Sequence, residues 1–230
     1  GAVETVEIAS KKRPDIHLIP YGTTATGEFK ITLGGVANDC QEFDVALFGK
    51  MYLSVPGVHE VLDGTGAVAL VCQLLRDAGK NPLDYKDKII QGLKSFTGGK
   101  RRSEIIGKTT SDAGNSVIVI DDYAHHPTAI KTTLEGYRQF YKNRKIIVDF
   151  MSHTYSRTQS LLKEFASSFA SADVVILHKI YASARENIAD FNITGKTLFE
   201  ETKNYSDNVH YFEEILDAKD FVQQELNKPL

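Results

Sequence analysis

The chain has 230 residues and a formal net charge of −3, from 27 basic and 30 acidic side chains. That length allows one large domain or two ordinary ones with a proper core, and the charge balance leaves no basic footprint for nucleic acid. Two cysteines, Cys40 and Cys72, form neither a zinc spacing nor a disulfide scaffold, which fits a reducing, cytoplasmic compartment. No apolar run is expected to reach the length of a membrane span and no signal-peptide layout heads the chain, so a membrane is not an expected partner either. Nothing in the sequence sets an oligomeric state. The opening "GAVETVEIASKKRPD" reads as mid-domain sequence, and the chain is expected to be a fragment.

In chain order, "DIHLIPYG", "GEFKITLGG" and "EFDVALFGKMYLSV" carry the alternation and glycine punctuation of an antiparallel β region. "GTGAVALVCQLLRDAGK" switches to helical spacing and stops at Gly79. "NPLDYKDKIIQGLKSF" predicts a second helix, with Asn81 as N-cap and Pro82 in the first turn. "TGGKRRSE" is the best boundary: paired glycines followed by charge read as a hinge. This divides the chain into residues 1–99 and 100–230.

Beyond the hinge the order becomes strand–helix, repeated. "SVIVI" leads to "PTAIKTTLEGYRQFY", "RKIIVDF" to "SRTQSLLKEFASSFA" and "DVVILHKI" to a further segment, and "NVHYF" precedes "AKDFVQQEL". Continuous apolar strands alternating with amphipathic helices predict an α/β, doubly wound, mostly parallel sheet. In such a sheet, ligands bind outside the carboxyl ends of the strands. Three of those ends carry polar and charged groups: Asp121, Asp122, Tyr123 and His125; His153, Tyr155 and Arg157; Tyr181, Arg185 and Glu186.

Several motifs do not qualify. Gly107-Lys108-Thr109-Thr110 has the look of a phosphate-loop tail, but the first glycine of that loop would fall on Arg102 and no strand precedes it. It is predicted as a strand with a polar end. Asp63 to Gly66 lacks the spacing of a dinucleotide fingerprint. The adjacent His125 and His126 point in different directions from most backbones, so no metal site is assigned, and one of the two is expected to support the turn before Pro127.

The stretches "LSVPGVHEVLDGTGAVAL", "GGKRRSE", "VIDDYAHHP", "SHTYSRT" and "IYASARE", in that order, resemble the Mur ligases of peptidoglycan synthesis. The resemblance implies a β-rich, partial central ATPase domain with helices, followed by a C-terminal Rossmann-like domain. The family's UDP-sugar domain, phosphate loop and magnesium ligands have no counterpart in this chain, and a final strand is expected beyond Leu230. The implied cofactors are ATP and Mg2+, and the implied partners are UDP-N-acetylmuramate and L-alanine. In that reaction ATP activates the muramoyl carboxylate as an acyl phosphate, which the amine of alanine attacks. By itself the chain is expected to be inactive.

Carried over position by position, the resemblance makes Arg102 the hinge arginine that reaches the nucleotide and Asp122 the acceptor for the ribose hydroxyls. Tyr123 and His125 would line the same cleft, and His59 is a further cofactor-binding position. His153 and Arg157 would face the acyl phosphate and the incoming alanine as the catalytic pair. The sequence departs from the family pattern G-x-H-N-x-x-N, since Glu60 and Asp63 replace both asparagines. An amide donates and accepts whereas a carboxylate only accepts, so a lost donor there costs on the order of 1–3 kcal/mol. Ser103 stands where an aromatic is usual, and Thr154 where many members have arginine. Two competing readings are a non-catalytic nucleotide- or peptide-binding module and a metal-dependent hydrolase using Asp122, His125 and His153.

Overall fold

Alternating apolar residues between positions 21 and 53 build a four-stranded sheet in a computed structural model that describes residues 2–37 and 39–229. A helix, α1 (Ala2–Lys12), precedes strands β1 (Tyr21–Gly22), β2 (Phe29–Ala37), β3 (Cys40–Val45) and β4 (Gly49–Leu53), which lie in the order β1-β2-β3-β4. The expected antiparallel pairing holds for β2 through β4, but β1 runs parallel to β2. Phe43 pairs with Met51 in register, and both are fully buried together with Val45 and Leu53. Side chains on a pleated strand alternate between faces, so Phe43 and Val45 of β3 turn inward together.

The helical stretch that follows is α2 (Val58–Asp77), and it buries Val61, Thr65, Val68, Ala69 and Cys72. At 20 residues it is long and apolar enough by composition to cross a membrane, which corrects the expectation that no run reaches that length. Gly79 adopts φ +70°, and bonds from Gly79 N to Arg76 O (2.9 Å) and Lys80 N to Leu75 O (2.8 Å) close the helix end. Asn81 Oδ1 then accepts from Leu83 N at 3.1 Å with Pro82 just inside the turn. A short 3-10 turn, Pro82–Tyr85, leads into α3 (Lys86–Lys94), which packs on β4. The cap and proline act as the sequence predicts.

The chain divides into two compact units, residues 1–53 with 59–96 and residues 54–58 with 97–230. In the second, β5 (Glu104–Thr110) and β6 (Ser116–Asp121) form an antiparallel hairpin, so the "GKTT" stretch is indeed a strand. There follow α4 (Pro127–Phe140), β7 (Ile147–Phe150), α5 (Tyr155–Ser160), α6 (Leu162–Ser167), β8 (Val174–Leu177), α7 (Gly195–Thr202), β9 (Val209–Tyr211) and α8 (Lys219–Asn227). Strands β7-β8-β9 pair in that order, all parallel. The "SVIVI" strand, expected to begin this parallel sheet, is instead hydrogen-bonded to β5.

The doubly wound character shows in β8. Val175 and Leu177 join one apolar cluster with Ile130, Leu134 and Tyr137 of α4, Phe165 of α6 and Leu198 of α7. Val174 and Ile176 join another with Ala218 and, from α8, Phe221 and Val222. A strand covered on both faces has no polar side, which is why its sequence reads as an unbroken apolar run. Each such side chain contributes about 1.5–3 kcal/mol on burial. Within the same unit α4 lies close to the 54–58 segment, and a Cβ on Gly136 would come 2.8 Å from the Gly57 Cα.

Candidate functional site

The carboxyl end of β6 meets the segment that the sequence reads as a hinge. Arg101 and Ser103 hold φ near +57° and +50°, a conformation that costs non-glycine residues energy and persists where neighbours impose it. The neighbours here are two adjacent aspartates. Asp121 Oδ2 accepts from Arg101 Nε at 3.2 Å. Asp122 accepts from Ser103 N through Oδ2 and from Ala124 N through Oδ1, both at 2.8 Å, while Tyr123 N donates to Arg101 O at 2.8 Å. Ser103, in the position of an aromatic, is buried and takes the Tyr137 hydroxyl on its Oγ at 3.1 Å. Glu104 Oε2 accepts from Arg101 N at 2.7 Å. One task of this carboxylate pair is therefore to hold residues 101–103 against the strand end.

Tyr123 stays half exposed beside two guanidiniums, Arg101 at 5.0 Å and Arg102 at 5.8 Å from its ring. His125 meets the same ring edge-on at 4.9 Å. His125 Nδ1 lies 2.9 Å from the Tyr123 carbonyl, an oxygen that only accepts, so Nδ1 is the donor in this contact. His126 behaves differently: its Nδ1 accepts from Thr128 N at 3.3 Å as the N-cap of α4, ahead of Pro127. It is the structural member of the histidine pair.

The end of β7 brings forward residues 152–157. Thr154 caps α5 with an Oγ1 that accepts from Arg157 N at 3.4 Å. Arg157 Nη1 donates to the carbonyls of His153 (3.0 Å) and His125 (3.2 Å), tying the β7 loop to the β6 loop. The third strand end joins through Tyr181, whose N donates to Ser152 O at 2.8 Å and whose ring lies 5.4 Å from that of His153. Glu186 completes the link. Its carboxylate accepts from Tyr155 N (3.1 Å), Ser156 N (2.9 Å), Ser156 Oγ (2.6 Å) and Ser183 N (3.2 Å). Burial works against its charge, but the Ser156 hydroxyl and the three amides outweigh that and bring its pKa down to about 2.

Behind this rim, His178 follows β8 and is fully buried. Its Nε2 lies 2.8 Å from Asp149 Oδ1 and its Nδ1 3.0 Å from Phe212 O. Burial lowers the pKa of the ring, yet the Asp149 carboxylate and the Phe212 carbonyl more than offset it and the pKa is raised.

The structure thus brings Arg102, Asp122, Tyr123, His125, His153 and Arg157 onto three cross-tied loops of the second unit. His59, in the first turn of α2, belongs to the other unit, with its Nε2 3.7 Å from Glu60 Oε1. Among the described residues no three His, Cys, Asp or Glu side chains converge as a metal site. Sequence reasoning gave Arg101 no role of its own within the hinge stretch and left Glu186 and His178 without roles. The "ASARE" stretch marks Glu186 as a strand-end residue, but no local pattern signals a carboxylate that reaches back some 30 residues.

Residues 101–228 match the family described as Mur ligase, glutamate ligase domain. The chain is 44% identical over 230 residues to UDP-N-acetylmuramate--L-alanine ligase of Treponema pallidum (strain Nichols), covering 99% of this chain and 47% of that protein. It is 35% identical to the protein of the same name from Borreliella burgdorferi, covering 92% and 44% respectively. The chain spans about half the length of the curated relatives it matches. Among solved structures, UDP-N-acetylmuramate-alanine ligase of Thermotoga maritima superposes with a TM-score of 0.61 at 24% identity, over 83% of this chain and 39% of that one. Folylpolyglutamate synthase of Mycobacterium tuberculosis, solved with ADP and AMPPCP, gives 0.64 at 18% identity, over 98% and 46%. At those identities the likeness speaks for the fold alone.

Proposed function

Because this chain belongs to the Mur ligase family, we propose that it is part of an ATP-dependent ligase that joins L-alanine to UDP-N-acetylmuramate through an acyl phosphate, in the bacterial cytoplasm. In this reading residues 1–99 are the end of the central ATP-binding domain and residues 100–230 the C-terminal domain. In this reading the 230 residues, about half the length of these relatives, are expected not to turn over alone. The observation that carries the reading is the set of three strand-end loops tied together by Arg157, Tyr181 and Glu186, which gathers two imidazoles and a guanidinium at one rim.

The donor set suits a polyphosphate. Arg101 and Arg102 flank Tyr123, and no partner is recorded for Arg157 Nε or Nη2 among the described residues. A planar guanidinium held by two carbonyls is well suited to neutralise an anionic reacting group. Arg102, Tyr123 and His125 are assigned to the nucleotide. Asp122 retains lone pairs for ribose hydroxyls beyond the two amides it accepts. His153 and Arg157 are assigned to the reacting carboxyl and the amine. ATP supplies the phosphoryl group that activates the acid, and Mg2+ is assigned to ligands outside this chain.

The test is substrate-dependent phosphate release by the chain joined to the remaining portion its relatives carry. Release should require UDP-N-acetylmuramate and L-alanine and should collapse in Arg157→Ala; release independent of alanine would sink the reading. The second reading, a non-catalytic binding module, draws on Glu60 and Asp63 in place of amides, with Glu60 already beside His59. Calorimetry of Mg-ATP with the chain and with its Glu60→Asn, Asp63→Asn variant addresses it. Binding that appears only in the variant means an adenine site disabled by the two acids, and binding in both means that the remaining contacts suffice.

A further inference from the structure

We propose that Glu186 is a positioning residue of the candidate site: from the loop after β8, its carboxylate seats the first turn of α5 and thereby aims His153 and Arg157. The proposal rests on the ligase reading for its catalytic consequence, but the geometry stands by itself.

The first amides of a helix have no partner within the helix. In α5 they are all taken by the protein. Glu186 Oε2 accepts from Tyr155 N and Ser183 N, Glu186 Oε1 accepts from Ser156 N and Ser156 Oγ, and Thr154 Oγ1 accepts from Arg157 N. A helix start at the carboxyl end of a parallel sheet is a common seat for anions. Here an internal carboxylate sits on those amides, so an anionic substrate group meets side chains instead. Arg157 is the cation nearest to hand in sequence, with Nη1 spent on two carbonyls.

The same loop fixes the other flank of residues 152–157. Tyr181 N donates to Ser152 O, and the Tyr181 ring lies against His153. Loosening Glu186 therefore frees the segment that carries both assigned catalytic side chains while leaving the apolar contacts of β8 in place. Glutamine is a poor substitute for a physical reason. An amide nitrogen in place of Oε2 points N–H at the Tyr155 and Ser183 amides, and in place of Oε1 it opposes the Ser156 amide, so either orientation leaves at least one backbone donor unmet.

The test compares the chain with its Glu186→Gln variant by NMR. Amide exchange should speed up at least about tenfold at Tyr155, Ser156 or Ser183, with Val175 and Leu177 unchanged, and the His153 ring and Arg157 Nε signals should move. Ser156→Ala, which removes the hydroxyl contacts to Glu186 and Thr154 Oγ1 but keeps the amide bonds to Glu186, should move the same signals less and serves if the first variant fails to fold. In the complete ligase, Glu186→Gln should raise the KM for the amino acid roughly 10- to 100-fold with the KM for ATP shifted less than about twofold. Unmoved His153 and Arg157 signals despite faster exchange would overturn the proposal, as would equal changes in both KM values. A wild-type ligase without alanine-dependent turnover would instead overturn the functional reading, and the NMR comparison would still decide the role of Glu186.

Discussion

Replacing Asp149 by asparagine should reverse the pH dependence of stability in the second unit. His178 is 0% exposed and its Nδ1 faces a carbonyl, so that nitrogen carries a proton in any state that keeps the bond. Its Nε2 faces a carboxylate, and both bonds form together when the ring is an imidazolium. The folded pKa is raised above the ordinary 6.5. Stabilisation is therefore fully present below that ordinary value and is lost as pH rises through the higher folded one. A hydrogen bond to a charged partner contributes about 1.5–3 kcal/mol, and the exposure of Asp149 to solvent reduces this to about 1 kcal/mol by screening.

In Asp149→Asn the side-chain amide can donate to a neutral Nε2, and burial, the largest influence on the ring, then lowers the histidine pKa against only the Phe212 carbonyl and Asp217. Urea unfolding read through exchange of the β8 amides, at about pH 6 and about pH 9, gives the slope for each protein. The natural chain should lose about 1 kcal/mol between the two, and the variant should lose none or gain. Imidazole nitrogen shifts report the protonation of His178 directly. Parallel slopes, or a neutral His178 at the lower pH in the natural chain, would refute the reasoning.

Glu186 should titrate with a midpoint near 2; its depressed pKa means that its contribution is complete above the ordinary carboxylate value and disappears as pH falls through that midpoint, which carbon-13 NMR of the carboxyl can follow. Gly136→Ala should destabilise the second unit by about 1–3 kcal/mol, because its Cβ would approach Gly57 Cα at 2.8 Å and backbone cannot rotate away; an unchanged denaturation midpoint would contradict the close approach of α4 to that segment. Glu225 is buried between Lys145 and Lys228, and Glu225→Ala should cost about 1–3 kcal/mol by leaving the Lys145 ammonium, largely shielded from water, with the backbone carbonyl of residue 225 but no counter-charge. Thermal melts of the variant with and without Lys145→Met would show the loss partly recovered.

Element types and several of their ends were written locally. The φ +70° stop at Gly79, the Asn81 cap with Pro82 beyond it and the unbroken apolar run of β8 each depend on residues within a turn or two, so the sequence alone determined them. The three strand ends that carry the candidate site were legible for the same reason: an apolar run followed abruptly by Asp, Tyr, His or Arg marks where a strand leaves the core. Pairing was not legible in this way. The period of "SVIVI" says which residues share a face and nothing about the neighbouring strand, and the chain gave it to β5 rather than to the parallel sheet. Likewise, nothing near Asp122 indicates Ser103 as its partner, and nothing near Glu186 indicates the start of α5. Those bonds join groups 19 and 30 or 31 residues apart, and only the path of the chain through three dimensions brings a carboxylate to the amides that need it.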